Sequence, residues 1–347
     1  MLKINDRIDD IYRITGRLGS GGMAEVYEAS DFVSKRFVAI KILKEELCDD
    51  KAQLSRFNNE AKLCAIMSHP NIIKVYNRGE YEGRPYLAYE LMKGKTLNEK
   101  LSYLTHFSLR ESCLIMLQLC DAIGYIHKHE VIHRDIKPDN VFYLADGTVK
   151  VSDFGISYDM QDDTSNTKKE VVGSVHYMAP EICQGQSPTI QSDIYSLGIT
   201  FFELTTGSLP FNEGDAKEIA KAHIKKSLPN VHDYNPELNK NVDYVISKAC
   251  AKKPSDRYAN CEEFKIDIQK LLDNKDNFIE KKNIFKRVFG LKWWEGKLLP
   301  QLVVFIQYIL KASHIMLSLK VFSVLETKLS LSAIMLISMM KNVLSII

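Results

Sequence analysis

Between residues 12 and 18, apolar and polar positions alternate as they do along a half-buried strand, and 26–29 reads as a second strand after a glycine-rich break. Residues 37–41 read as a third, and two further apolar strands are expected at 72–76 and 85–89. Between them the period lengthens: over 54–67, Phe57, Ala61 and Cys64 fall at helical spacing, and His69-Pro70 ends the helix. A short helix is expected over 96–104. Ser108 suits the N-cap of a long apolar helix running to 127, with Glu111 in its first turn. Residues 141–143 and 149–151, joined by an Asp146-Gly147 turn, read as a hairpin. An apolar helix begins at Ser192, and more helices are expected at 216–226, 241–251 and 262–272.

The length, 347 residues, accommodates one large two-lobed domain with an appendage, or two ordinary domains. The formal net charge of +2 is unevenly spread: from Lys281 onward there are ten Lys/Arg against two Glu, leaving 36 basic against 42 acidic residues before it. A mildly acidic body with a basic, apolar tail points to an anionic membrane surface as the tail's partner, not nucleic acid. The seven cysteines are scattered and show no CxxC spacing, so reduced cytosolic thiols are expected, with no metal site or disulfide framework. Cys113 and Cys120, seven apart, can share a helix face as small buried hydrophobes. Residues 1–10 are charged and poor in apolar residues, unlike a signal peptide.

Candidate chemistry concentrates in Val131-Ile132-His133-Arg134-Asp135-Ile136-Lys137-Pro138-Asp139-Asn140 and in Asp153-Phe154-Gly155, which begins thirteen residues after Asn140. Asp135 is a carboxylate that can receive a proton, Lys137 a cation that can neutralise a moving phosphoryl group. Asn140 and Asp153 supply oxygens for a divalent metal. Phosphoryl transfer needs little covalent help and much positioning and charge neutralisation, which these groups provide. Upstream, Gly19-Ser20-Gly21-Gly22-Met23-Ala24 lies between two strands. Taken alone, such a run fits a plain hairpin turn as well as a backbone cradle for phosphate. Phe37-Val38-Ala39-Ile40-Lys41, following as the next strand, favours the cradle.

These motifs resemble those of protein kinases, and Lys137 two places after Asp135 is similar to the Ser/Thr-specific, bacterial eukaryotic-like (Hanks-type) version. The resemblance covers about residues 11–272 and implies an α+β, two-lobed fold: a small β-rich N-lobe over about 11–91 and a larger α-helical C-lobe over about 92–272. It implies ATP with Mg²⁺, or Mn²⁺ in its place, between the lobes. Leu18, Gly19, Ser20, Gly21, Gly22 and Val26 would border the nucleotide, with Ala39 and Phe142 about the adenine. Ala24 stands where the family has a third Gly. Lys41, paired with Glu60, would hold the α- and β-phosphates. Tyr89 takes the gatekeeper position behind the adenine pocket, and Glu90, Leu91 and Met92 the hinge. Asn140 and Asp153 would bind metal, and Asp135 and Lys137 would act in catalysis.

Residues 155–171 form a polar run expected to be the activation segment, with Thr164, Ser165 and Thr167 as candidate phosphoacceptors able to pair with Arg134. Ser174, where the family usually has Thr, keeps the hydroxyl that can bond Asp135 and Lys137. Ala179-Pro180-Glu181 matches the A-P-E signature. Asp193 would anchor the catalytic-loop backbone, and Arg257 would pair with Glu181 as a buried structural bridge. Protein Ser/Thr side chains are the implied substrates, with self-association for trans-autophosphorylation. A catalytically weak pseudokinase serving as a membrane-tethered scaffold is the alternative, although Lys41, Asp135 and Asp153 are all present. Small-molecule phosphotransferases of this fold lack the A-P-E segment.

Beyond a charged, basic linker at 273–297, residues 298–347 form an apolar tail, expected to be helical. Lys281, Lys282, Lys286, Arg287, Lys292 and Lys297 surround Trp293-Trp294. No uncharged stretch reaches the length of a typical span, because Lys311 and Lys341 interrupt the apolar runs. Three readings fit the tail: a membrane anchor, an in-plane amphipathic helix, or a helical extension packed on the domain. The first two place the kinase domain in the cytoplasm and attach it to the membrane.

Overall fold

A computed structural model describes residues 1–153, 158–159 and 175–273. Phe154, Gly155, Thr164, Ser165, Thr167, Ser174, the linker beyond 273 and the tail lie outside the described residues. Strands β1 (Arg7–Ile8), β2 (Tyr12–Ser20), β3 (Ala24–Asp31) and β4 (Arg36–Leu43) are followed by helix α1 (Lys51–Ile66) and by β5 (Val75–Tyr81) and β6 (Arg84–Glu90). The six strands form one antiparallel sheet in the order β1-β2-β3-β4-β6-β5. The two-residue period of β4 decides what this sheet presents. Val38, Ile40 and Ile42 point to one face and join Ile14, Tyr27 and Tyr86 in a small apolar core. Ala39 and Lys41 therefore point to the other. Lys41 pairs with Val26 on one side and Leu87 on the other, and Ala39 with Tyr89, so these side chains share Lys41's face.

The strand expected at 72–76 begins later, at Val75. Residues 71–73 pair elsewhere: the Ile73 N–H donates to Val151 O at 2.9 Å and the Val151 N–H to Asn71 O at 2.8 Å. This segment is thus held by a strand of the second half of the domain, and the chain meets β6 from Lys74, whose carbonyl accepts the Glu90 N–H at 2.8 Å. The short helix is also smaller than 96–104. Thr96 is its cap, bonded reciprocally with Glu99, and the helix α2 closes at Leu101.

The second half contains β7 (Lys95–Thr96), α2 (Leu97–Leu101), α3 (Leu109–Lys128), β8 (Val131–Ile132), β9 (Val141–Tyr143), β10 (Val149–Val151) and β11 (Tyr158–Asp159). Helices α4 (Pro180–Cys183), α5 (Ile190–Thr206), α6 (Ala216–Lys225), α7 (Lys240–Ala249) and α8 (Cys261–Leu272) complete it. Helix α3 starts at the expected N-cap, Ser108, which forms a reciprocal capping box with Glu111. Helix α5 is buried all round from Ser192 to Thr206, so it is the central helix against which the others pack. Two glycines permit that centrality. A Cβ on Gly198 would stand 2.6 Å from the Cys250 Sγ on the C-cap of α7, and Gly207 ends α5 at φ +70° with the Thr105 carbonyl pressed against it. The architecture is the expected α+β pair of lobes, a β-rich sheet preceding a helical body. Cys113, Cys120, Cys250 and Cys261 are buried free thiols. Among the described residues no helix is long and apolar enough to cross a membrane.

Candidate active site

The catalytic loop leaves β8 at His133 and returns through a 3-10 turn, Pro138–Asn140, into β9. Its shape is imposed from below by α5. Asp193, only 1% exposed, accepts the backbone N–H of His133 and of Arg134 at 2.9 Å each, and its Oδ2 also lies 2.8 Å from His127 Nε2. Burial alone would raise the Asp193 pKa. The hydrogen bonds with His127 and with the Arg134 N–H outweigh it, so the carboxyl titrates below its ordinary range. Arg134 sits at φ +72°, a left-handed conformation that a non-glycine residue holds only when its surroundings fix it.

His133 is fully buried and ties the two loops together. Its Nδ1 accepts the Asp135 N–H at 3.3 Å, which leaves the proton on Nε2, 3.2 Å from the Ser152 carbonyl. Ser152 in turn donates both its N–H, at 2.9 Å, and its hydroxyl, at 3.1 Å, to Asn140 O. Asp153 follows immediately, at φ +63°. Asn140 Nδ2 donates to Asp135 O and Oδ2 at 2.8 Å, and Lys137 Nζ lies 2.7 Å from Asp135 Oδ2.

From the other lobe, Lys41 Nζ donates to Glu60 Oε1 and Oε2 at 2.8 and 2.9 Å and to Asp153 Oδ1 at 3.0 Å. Burial would depress the Lys41 pKa, but the two carboxylates more than reverse that and hold the ammonium charged. The Tyr89 hydroxyl also donates to Glu60 Oε1. Polar contacts thus link Glu60, Lys41 and Asp153 in one set and Asn140, Asp135 and Lys137 in another, and Ser152, next to Asp153, joins the two through the Asn140 carbonyl.

Around it, Leu18, Gly19 and Ser20 close β2, and Gly21 and Gly22 form the turn, where the Gly21 N–H donates to Ala24 O at 2.9 Å. Ala24 therefore closes the turn with its carbonyl, a role its methyl does not disturb. Ala39, Met92 and Phe142 are partly buried and pack against the main core. The Glu90 side chain turns away to an ion pair with Lys150 at 2.7 Å. The Asn140 amide nitrogen is occupied, so its oxygen is the atom left to face a metal. With the Asp153 carboxylate it makes the hard oxygen set that Mg²⁺ takes alongside water and phosphate oxygens. The residues fit that ion.

Glu181 and Arg257 meet away from the cleft in a bidentate pair, 2.8 and 2.7 Å, and Ser192 Oγ adds a third donor to Glu181 at 2.8 Å. Burial would raise the Glu181 pKa, but Arg257 holds it below its ordinary range. Sequence reasoning missed His127, the bridging role of His133, and the pair Tyr177–Glu203, in which the Tyr177 hydroxyl donates to Glu203 Oε2 at 2.6 Å. His127 carried a signal: it lies at helical spacing from Cys120 and Ile123 on the buried face of α3. Glu203 carried one too, as an acid within an apolar helix.

Residues 12–269 match the protein kinase domain. The chain belongs to the protein kinase family. Its kinase domain is similar to that of the "Probable serine/threonine-protein kinase PknB" of Lactococcus lactis, 38% identical over 289 residues, which are 80% of this chain and 46% of the relative. Serine/threonine-protein kinase PrkC of Bacillus subtilis is 39% identical over 270 residues, 78% of this chain and 42% of PrkC. Serine/threonine-protein kinase PknB of Mycobacterium leprae is 34% identical over 266 residues, 75% of this chain and 43% of that protein. The chain spans less than half the length of these relatives.

Proposed function

We propose that this chain is an ATP-dependent protein kinase that transfers the γ-phosphoryl group to Ser and Thr hydroxyls of proteins. The observation that carries it is that Lys41 meets Asp153, 112 positions along the chain, and Asn140 meets Asp135, with Ser152, next to Asp153, hydrogen-bonded to the Asn140 carbonyl. Lys41, kept charged and aimed by Glu60, holds the α- and β-phosphates. Asp153 and Asn140 hold the divalent metal, Mg²⁺ in this reading, which when bound neutralises phosphate charge. Asp135 is oriented by Asn140 and accepts the proton of the substrate hydroxyl. Lys137 places its positive charge beside that carboxylate, where negative charge gathers on the transferred group. No observation favours the pseudokinase reading.

Autophosphorylation between copies, at Thr164, Ser165 or Thr167, is part of the proposal. So is attachment of the cytoplasmic kinase domain to the membrane through the basic, Trp-flanked tail; the support is its composition. Purified protein with Mg²⁺ and γ-labelled ATP should label itself on Ser/Thr, faster at higher protein concentration, and Asp153→Asn or Lys41→Met should silence it. Equal labelling of parent and variants would overturn the proposal. In fractionated cells the full chain should sediment with membranes and a chain ending near 274 should not.

A further inference from the structure

Lys41 has no donor to spare. An ammonium carries three N–H groups, and here two go to Glu60 and one to Asp153. Holding nucleotide phosphates therefore means withdrawing N–H groups from partners that already use them. Asp153 can release its share easily, because its side chain is 49% exposed. Glu60 cannot be rehydrated in the same way: it lies on α1 and is 1% exposed. A buried carboxylate oxygen stripped of its donor costs the full penalty of an unmet acceptor. The two oxygens of Glu60 differ in this respect. Oε2 receives Lys41, whereas Oε1 receives both Lys41 and the Tyr89 hydroxyl. The Lys41–Oε1 bond is thus the one that can be broken with the carboxylate still served.

We infer that Tyr89 is a positioning residue for nucleotide binding: its hydroxyl holds Glu60, and α1 with it, while Lys41 turns part of its donor set to phosphate. The fold makes this natural. Tyr89 lies opposite Ala39 in the β4–β6 register, on the same face as Lys41 and one residue before the Glu90 hinge. A residue that borders the adenine end of the cleft therefore also anchors the helix that orients the phosphate-binding lysine. In the nucleotide-free protein the hydroxyl is dispensable, because Lys41 serves both oxygens of Glu60. Its contribution appears only when phosphate competes for Lys41.

The inference rests on the nucleotide-binding reading above, and the test separates the two. Calorimetric titration of the full chain with ADP and Mg²⁺ measures affinity without turnover. Tyr89→Phe keeps the ring and removes the hydroxyl, and should weaken ADP–Mg²⁺ by about ten-fold. Tyr89→Met should weaken it equally, since the hydroxyl and not the ring is what matters. In steady state the KM for ATP should rise by a similar factor, with kcat falling much less. On a Glu60→Gln background, where no buried charge needs holding, Tyr89→Phe should cause little further loss of affinity. A Tyr89→Phe variant that binds ADP–Mg²⁺ as the parent does would overturn the inference, as would losses that simply multiply in the double variant. If the parent itself failed to bind ADP–Mg²⁺, the nucleotide reading would fall and this inference with it.

Discussion

Arg134 of the catalytic loop is bound from beneath by Asp193: its backbone N–H lies 2.9 Å from Asp193 Oδ1, and the residue stands at φ +72°. The loop that presents Asp135 is thus strained locally and fixed by a buried carboxylate on the most deeply buried helix of the domain. The backbone of the candidate site is tied to that core.

Asp193→Asn tests the dependence directly. The amide has the carboxylate's shape, but it offers one oxygen acceptor where Asp193 offers two, and its NH₂ would face a donor. Activity should fall by about a hundred-fold or more, because reacting groups displaced by an ångström lose most of their positioning. Thermal denaturation should show a loss of about 1–3 kcal/mol, that of a buried group left unmet. A variant with parental kcat and melting temperature would show that the loop holds its shape without Asp193.

The Arg257–Glu181 pair belongs to folding. Removing one partner, as in Arg257→Met, should destabilise by about 3–5 kcal/mol, because the other charge stays buried without its counterion. Adding Glu181→Leu to that variant should recover part of the loss in chemical denaturation. The pH dependence has a fixed sign. Since Arg257 depresses the Glu181 pKa, the pair stabilises the fold above the ordinary carboxyl range, and that contribution is lost as pH falls through the depressed value.

Glu203 should show the opposite sign. Burial raises its pKa to about 7, against the Tyr177 hydrogen bond and with the Asp139 charge adding to the rise. The folded protein then holds this proton while the unfolded chain releases it, so stability falls as pH rises from about 4.5 to about 7 and levels off above. Glu203→Gln should match the parent near pH 5 and exceed it at pH 8 by about 2–3 kcal/mol. Parallel melting curves across that range would contradict the assignment.

Lys137 lies 2.7 Å from Asp135, and in the proposed reaction its charge would stand where phosphate charge accumulates. Lys137→Ala should reduce kcat by about a hundred-fold with little change in KM for ATP, because Lys41 and not Lys137 positions the nucleotide. A rise in KM with kcat unchanged would reassign Lys137 to ground-state binding.

Much of this was legible in the residues. The β4 alternation in Val38-Ala39-Ile40-Lys41 puts Lys41 on the face away from the small core whatever follows, and the Ser108–Glu111 and Thr96–Glu99 caps are local chemistry. Glu60, on α1, also meets Lys41 as the motif order implies. The strand expected at 72–76 begins only at Val75, because an apolar run does not say which partner it will hydrogen-bond. The segment 71–73 pairs with β10, and only its position between the lobes decides that. Tyr89 was legible as a bulky residue before the hinge, yet nothing in the sequence says its hydroxyl reaches Glu60.

The sequence by itself determined the elements, their caps, the faces they bury and the inventory of acid, base and cation, because those depend on periodicity and on side chains a few positions apart. Tertiary structure alone decided that His127 would steady Asp193, that His133 would bridge two loops, and that Glu203 would be buried beside Tyr177. Each of these depends on distances between segments up to 66 residues apart, and on the desolvation those distances impose. Neither is written in any local pattern, because burial is a property of the whole packed chain.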